Sequence, residues 1–232
     1  MQLFYNPDIN VSTNIFSIDK NESRHIMKVL GKKERDQLQI TNGKGMLFNS
    51  EIINANDKKC AIQIISAQLQ PKPWTYHLHI AIAPTKMNDR YEWFLEKATE
   101  IGVFEIVPLL CKNNERDKVN FERCKKVELA ANKQSQRAWL PVINEPMKFS
   151  QLICQDNLPE TKLIAYCEDL PEQSMDDFVG QPDVLVLIGP EGDFTKEEVA
   201  MAESKGFVRV NLGVNRLRTE TAGIVAVAKL NQ

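Results

Sequence analysis

Leu212-Gly-Val-Asn-Arg-Leu-Arg-Thr-Glu-Thr-Ala-Gly223 joins a strand pattern to an apolar helix pattern through a loop that holds two arginines, Glu220 and two threonines. Before it, Phe207-Val-Arg-Val-Asn-Leu-Gly213 alternates side chains as a half-buried strand does. After it, Ala222 to Leu230 is an Ala-rich apolar run suited to a buried helix. Packing a strand against a helix needs none of these charges, so the loop is expected to meet a ligand, as loops after strands do in α/β proteins. The plainer reading is a helix N-cap at Thr219 or Thr221 with the arginines solvated.

Outward from this loop, strands alternate with helices. Strands are predicted at His77 to Ala83, Glu105 to Leu110, Lys162 to Cys167 and Asp183 to Ile188. The helices are Asp89 to Ile101 closed by Gly102, Asn120 to Trp139 stopped before Pro141, and Thr195 to Lys205 closed by Gly206, with Glu198 in the capping-box position. This order predicts a mostly parallel sheet covered on both faces. The front of the chain reads differently, as short strands at Gln2 to Tyr5, Gln37 to Thr41, Met46 to Ile53 and Cys60 to Leu69, with Asn42-Gly43 as a hairpin signal. One helix interrupts them, from Asp19 with a capping-box Glu22 to Gly31, so the whole resembles a small β-barrel with an inserted helix. Pro71-Lys72-Pro73 breaks any regular element and divides the chain into residues 1–72 and 73–232.

The 232 residues carry a net charge of −2, which excludes a uniformly basic nucleic-acid coat. Residues 1–73 hold ten Lys/Arg against seven Asp/Glu, about +3, and the rest 19 against 24, about −5, so the front is mildly basic. No apolar run approaches the roughly 18 residues of a membrane span, and the amino terminus lacks a signal-peptide layout, so no membrane partner and a cytoplasmic location are expected. Five scattered cysteines without a C-x-x-C pair read as free thiols. His77 and His79 share one face of a predicted strand but have no third ligand nearby, so no metal is expected.

Ligands of parallel α/β sheets bind outside the carboxyl ends of the strands. There the strand ending at Ile188 runs into Gly189-Pro-Glu-Gly-Asp-Phe194, whose glycines let a backbone approach a ligand closely. It is no phosphate cradle: both glycine fingerprints are absent, and Glu191 and Asp193 would repel a pyrophosphate, which disfavours a nucleotide-cofactor oxidoreductase.

Gly189-Pro-Glu-Gly192, followed by Leu212-Gly213 and Leu217-Arg-Thr-Glu-Thr-Ala222, resembles the carboxyl half of SPOUT-class RNA methyltransferases and, more narrowly, the RsmE family, which methylates N3 of a uridine in small-subunit ribosomal RNA. The resemblance extends to Lys86, Asn88-Asp-Arg-Tyr-Glu-Trp93, Glu96-Lys-Ala-Thr-Glu-Ile-Gly102, Gln134 with Arg137, and Arg24-His-Ile-Met-Lys-Val-Leu30. It implies an α/β trefoil-knot methyltransferase domain behind an amino-terminal PUA-like β-barrel, acting as a homodimer on 16S rRNA or the 30S subunit at uridine 1498 in standard rRNA numbering. The implied cofactor is S-adenosylmethionine (SAM), held by Tyr166, Ile188, Gly189, Gly192, Leu212, Gly213, Leu217 and Ala222. Arg24, Lys28, Lys86, Arg90, Gln134 and Arg137 are candidates for gripping RNA. Trp93, Phe94, Leu95 and Ile101 read as core and dimer packing. The chain departs from the family at Asp193, where a third glycine is usual, and at Val214-Asn215, which replace Pro-Arg.

The reaction itself points to the acting residues. Uridine N3 is protonated at neutral pH, and methyl transfer spreads negative charge onto its flanking carbonyl oxygens as that proton leaves. An arginine aimed at those oxygens stabilises the charge, which makes Arg218 the first catalytic candidate. Glu191 and Glu220 are candidates for accepting the proton or for holding Arg218. The rival readings are a SPOUT methyltransferase with another RNA target and a noncatalytic RNA-binding assembly factor.

Overall fold

In the front of the chain, alternating apolar residues turn one face of a sheet toward a small core. A computed structural model describes residues 2–72, 74, 76–168 and 173–231, and its contacts divide the chain into two compact units, Met1–Lys72 with Asn132–Leu140, and Pro73–Ala131 with Pro141–Gln232. The first unit contains β1 (Leu3–Tyr5), β2 (Ile15–Ser17), α1 (Lys20–Arg24) continuing as a π-helical turn over His25–Val29, β3 (Gln37–Thr41), β4 (Met46–Asn54) and β5 (Ala61–Leu69). Its sheet runs β1-β3-β4-β5-β2, and Phe4, Ile26, Leu38, Ile40, Phe48, Ile52 and Ile62 form the core beneath it.

Two details of the first unit differ from the sequence expectation. Asp19 caps α1 as predicted, accepting from the Asn21 and Glu22 amides, but the Glu22 carboxylate pairs with Lys133 instead of closing a capping box. Asn42-Gly43 opens the expected hairpin, with β3 and β4 antiparallel across residues 42–45. Asn42 Oδ1 accepts from the amides of Lys44 and Met46, and both Gly43 and Gly45 take positive φ, 74° and 88°. The backbone of this connection binds residues 138–140: the Gly45 amide donates to Ala138 O, and Gly43 O accepts from the Leu140 amide.

The same contacts explain the second difference. The helix predicted to reach Trp139 ends at Gln134. Gln136 turns left-handed at φ 55°, which releases Ala138 O to accept from Gly45 and from Thr41 Oγ1 (2.9 Å). Trp139 bridges Lys44 and donates from Nε1 to Gln70 O. Tertiary hydrogen bonds outweigh helix propensity here. Gln134 and Arg137 consequently fall in the first unit.

In the second unit the elements are β6 (His77–Ile82), α2 (Asn88–Ile101), β7 (Glu105–Leu110), α3 (Phe121–Gln134, whose last residues belong to the first unit), β8 (Val142–Ile143), β9 (Met147–Lys148), α4 (Phe149–Leu152), β10 (Thr161–Ala165), β11 (Asp183–Ile188), α5 (Lys196–Ser204), β12 (Val208–Val210) and α6 (Thr219–Leu230). All strand pairs are parallel, in the order β12-β10-β11-β6-β7-β8 with β9 also on β7. Both faces of this sheet are buried, which is why β11 reads as an unbroken apolar run. Val184, Val186 and Ile188 pack with Phe94, Leu95, Ala98 of α2 and Ala226, Val227 of α6; Leu185 and Leu187 pack with Val199 and Ala202 of α5 and Phe149 of α4. α5 has the predicted capping box between Thr195 and Glu198. α6 starts three residues earlier than predicted, and neither threonine caps it: the N-cap is Arg218, without a side-chain cap bond. Among the described residues, no helix is long and apolar enough to cross a membrane.

At the amino ends of the strands, His79 of β6 joins its neighbours on both sides. Its Nδ1 contacts Glu105 of β7, and Nε2 lies 3.0 Å from Asp183 Oδ1 of β11. Asn144 donates to the other Glu105 oxygen at 2.6 Å. The hydrogen bond to His79 holds the Glu105 carboxyl below its ordinary value of 4.5, against the opposing effect of burial. A carboxylate with a lowered folded pKa stabilises the fold above its unfolded pKa, and that stability is lost as pH falls through the folded value. Glu105→Gln should therefore lower stability by about 1–2 kcal/mol at pH 7 and by much less near pH 3.5. Urea unfolding at the two pH values checks this; an equal gap at both would refute the charge-dependent part.

Candidate active site

β10, β11 and β12 lie side by side and parallel, so the loops after Ala165, Ile188 and Val210 emerge at one edge of the sheet. They enclose a cavity of about 500 Å³, within the range of sites for cofactor-sized ligands. Tyr166, Ile188, Gly189, Gly192, Leu212, Gly213, Leu217 and Ala222 all line it, as do Glu191 and Arg218. Glu220 does not; it is buried, and its Oε1 lies 3.8 Å from Arg90 Nε.

Local chemistry fixes each wall. Gly189 cannot carry a side chain without crowding, since a Cβ there would stand 3.1 Å from the Phe194 ring, and one at Gly192 would stand 3.2 Å from Asn113. Asn113 holds this loop by donating to Gly192 O (3.2 Å) and Asp193 O (3.1 Å). Asp193 adopts φ 60°, a conformation that favours glycine. Its carboxylate offsets the strain by accepting from the amides of Phe194 (2.8 Å) and Cys167 (3.3 Å), and the second bond joins the loops after β10 and β11. Burial raises the Asp193 carboxyl, while those two amides and Arg216 draw it back.

Thr219, in the first turn of α6, donates from Oγ1 to Gly189 O at 3.0 Å and so pins the β12–α6 loop to the β11–α5 loop. The sequence signalled a polar threonine here but not its partner, which lies 30 residues away. Thr219→Val should remove about 1–2 kcal/mol by leaving Gly189 O without its donor, and Thr219→Ser should restore it. An unchanged melting temperature in the valine variant would dismiss this tie.

The charged groups differ in how firmly they are held. Glu191 Oε1 accepts from the Lys86 amide at 2.9 Å, and Oε2 is buried without a hydrogen-bond partner. Arg218 is exposed and forms no ion pair among the described residues, so the Arg218–Glu220 pair is not formed. Lys86 Nζ meets Glu115 at 2.7 Å, and in the first unit Lys28 meets Asp57 at 2.8 Å while Arg24 and Gln134 are exposed. Among the described residues no group of three or more His, Cys, Asp or Glu is placed to hold a metal ion.

The RNA methyltransferase domain family matches residues 72–231 and the RNA methyltransferase PUA domain family residues 18–65. Ribosomal RNA small subunit methyltransferase E of Mesomycoplasma hyopneumoniae is 31% identical over 221 residues, 93% of each chain. This chain belongs to the ribosomal RNA small subunit methyltransferase E family. Among solved structures, a probable rRNA-methyltransferase from Porphyromonas gingivalis is 38% identical with a TM-score of 0.90, covering 98% of this chain and 95% of that one. A putative methyltransferase from Legionella pneumophila, solved with its bound cofactor SAM, is 27% identical with a TM-score of 0.86, covering 98% and 96%. The family fold, a SPOUT-type α/β domain with an amino-terminal PUA domain, is that of this chain.

Proposed function

We propose that this chain methylates N3 of a uridine in 16S ribosomal RNA, uridine 1498 in standard rRNA numbering, with SAM as methyl donor. The observation that carries the reading is the meeting, in one cavity at the strand ends, of all eight residues proposed for the donor with Arg218 and Glu191. The cavity suits the cofactor. Ile188, Leu212, Leu217 and Ala222 offer apolar surface, the glycines leave room for close backbone approach, and Glu191 and Asp193 suit a ligand bearing positive charge.

When bound, SAM supplies a methyl group activated by its sulfonium. Arg218 faces the two carbonyl oxygens that flank N3 and stabilises the charge they gain. Glu191, with one oxygen anchored by the Lys86 amide and the other unpartnered, takes the N3 proton. Glu220 positions Arg90 beside the RNA rather than acting on the base. In the same reading residues 1–72 form the PUA-like RNA-binding domain and residues 73–232 the methyltransferase domain with its carboxyl-terminal trefoil knot. Arg24, Lys28, Lys86, Gln134 and Arg137 contact phosphates, and a cytoplasmic homodimer acts on the 30S subunit. Incubation with undermethylated small subunits and labelled SAM, followed by mapping of the label, tests this. Label at uridine N3 supports it; label on ribose or another base would move the reaction elsewhere, and absence of SAM binding by calorimetry would remove it.

A further inference from the structure

A second, smaller cavity of about 70 Å³ opens at the carboxyl end of β6, which neighbours β11 in the sheet. Asn88 and Tyr91 from the start of α2 and Arg116, Lys118, Asn120 and Arg123 from the region after β7 line it. Neither the donor site nor the proposed chemistry uses this cavity. We propose that it seats a backbone phosphate of the RNA adjoining the methylated uridine, an inference that rests on the functional reading above.

Charge selects an anion. Glu92, also in the wall, takes both Nε and Nη2 of Arg123 at 3.0 and 2.8 Å, so that pair is internally neutral. Arg116 Nε donates to Lys118 O at 2.8 Å, which fixes its guanidinium in the wall, and neither Arg116 nor Lys118 forms an ion pair among the described residues. Two uncompensated positive charges therefore remain. Size selects a small group: the volume is far below the ~300 Å³ of a small-molecule pocket, too little for a nucleoside but enough for a tetrahedral oxyanion.

An independent observation comes from Tyr91. The residue is 5% exposed and its hydroxyl is buried without a hydrogen-bond partner. Burial pushes the phenol well above its ordinary range, so it keeps its proton and can donate. Native structures rarely leave such a group unsatisfied, and one in the wall of a basic cavity marks an absent acceptor. Asn88 and Asn120 supply further amide donors, and the first amides of α2 favour an anion as well. Lys86 links the two regions: its amide binds Glu191 in the wall of the donor cavity, while its Nζ binds Glu115, next to Arg116.

Binding of a small-subunit rRNA fragment containing the target uridine, measured over a salt series, tests the assignment with Arg116→Gln/Lys118→Gln and Tyr91→Phe. The double variant should bind about 10-fold more weakly or worse and lose about one unit of the slope of log K against log salt; SAM affinity should not change. Tyr91→Phe should bind RNA several-fold more weakly and melt no lower than wild type, because it removes an unpartnered hydroxyl; a structural role would lower the melting temperature instead. Wild-type RNA affinity and salt slope in both variants would overturn the proposal. So would stabilisation of wild type by inorganic phosphate with RNA binding unaltered in the variants, which marks a site for the free anion. If wild type neither binds nor methylates the fragment or the undermethylated subunit, the functional reading itself fails.

Discussion

Arg218→Ala should slow methyl transfer by about 10²–10³-fold, the usual cost of removing one donor aimed at a developing oxyanion, while leaving SAM affinity and the melting temperature close to wild type. The expectation of an intact fold rests on the position of the residue. Arg218 is exposed, makes no ion pair among the described residues, and caps α6 only through its extended backbone, φ −73° and ψ 156°, which alanine also adopts. Arg218→Lys should lie between the two, because an ammonium keeps the charge but not the planar fork that can meet an oxygen along a fixed direction. Single-turnover transfer from labelled SAM, with calorimetry for binding, separates the effects. Wild-type turnover in the alanine variant would take Arg218 out of the reaction; a matching loss of SAM affinity would make it a cofactor ligand.

The parts of this molecule legible in the sequence are those governed by local chemistry. β3, β7 and β11 begin and end where their side-chain patterns indicate, and the capping box of α5 is present because Thr195 and Glu198 satisfy each other within one turn. The cavity after β10, β11 and β12 was foreshadowed by glycine-bearing loops at strand ends, where a parallel sheet leaves space; its assignment to a methyl donor came from the family resemblance instead. What escaped depends on partners far along the chain. Thr219 looked like a helix cap, but Gly189 O takes its hydroxyl. Glu22 looked like half of a capping box, but Lys133 takes its carboxylate. Glu220, expected beside Arg218, turns to Arg90 instead. Tyr91 lies in the Asn88–Trp93 motif, but nothing in the sequence singles out its hydroxyl, which is ordinary on the apolar face of a helix until it proves to be without a partner. Asp193 is the reverse case: a departure from the family glycine that the structure accounts for through two side-chain hydrogen bonds.

The end of α3 gives the second large prediction. Gly45 sits at φ 88°, and a Cβ there would stand 2.3 Å from the Trp139 ring. Gly45→Ala therefore meets two costs: about 1–2 kcal/mol for an L-residue in left-handed backbone, and on the order of 1–3 kcal/mol for overpacking against the indole. Gly31→Ala isolates the first cost, because Gly31 is also left-handed, at φ 64°, but has nothing within 4 Å of its Cβ position. Urea unfolding should show Gly45→Ala destabilised by the larger amount, with the difference between the variants reporting the collision; equal losses would mean that Trp139 does not pack there. The consequence for function follows from the chain path. If Trp139 is pushed away, its Nε1 bond to Gln70 O and the Gly45–Ala138 backbone bond weaken together. The turn that places Gln134 and Arg137 in the first unit then loosens. Gly45→Ala should accordingly weaken RNA binding at temperatures where the protein is still folded, with SAM affinity unchanged, since every residue of the donor cavity belongs to the other unit.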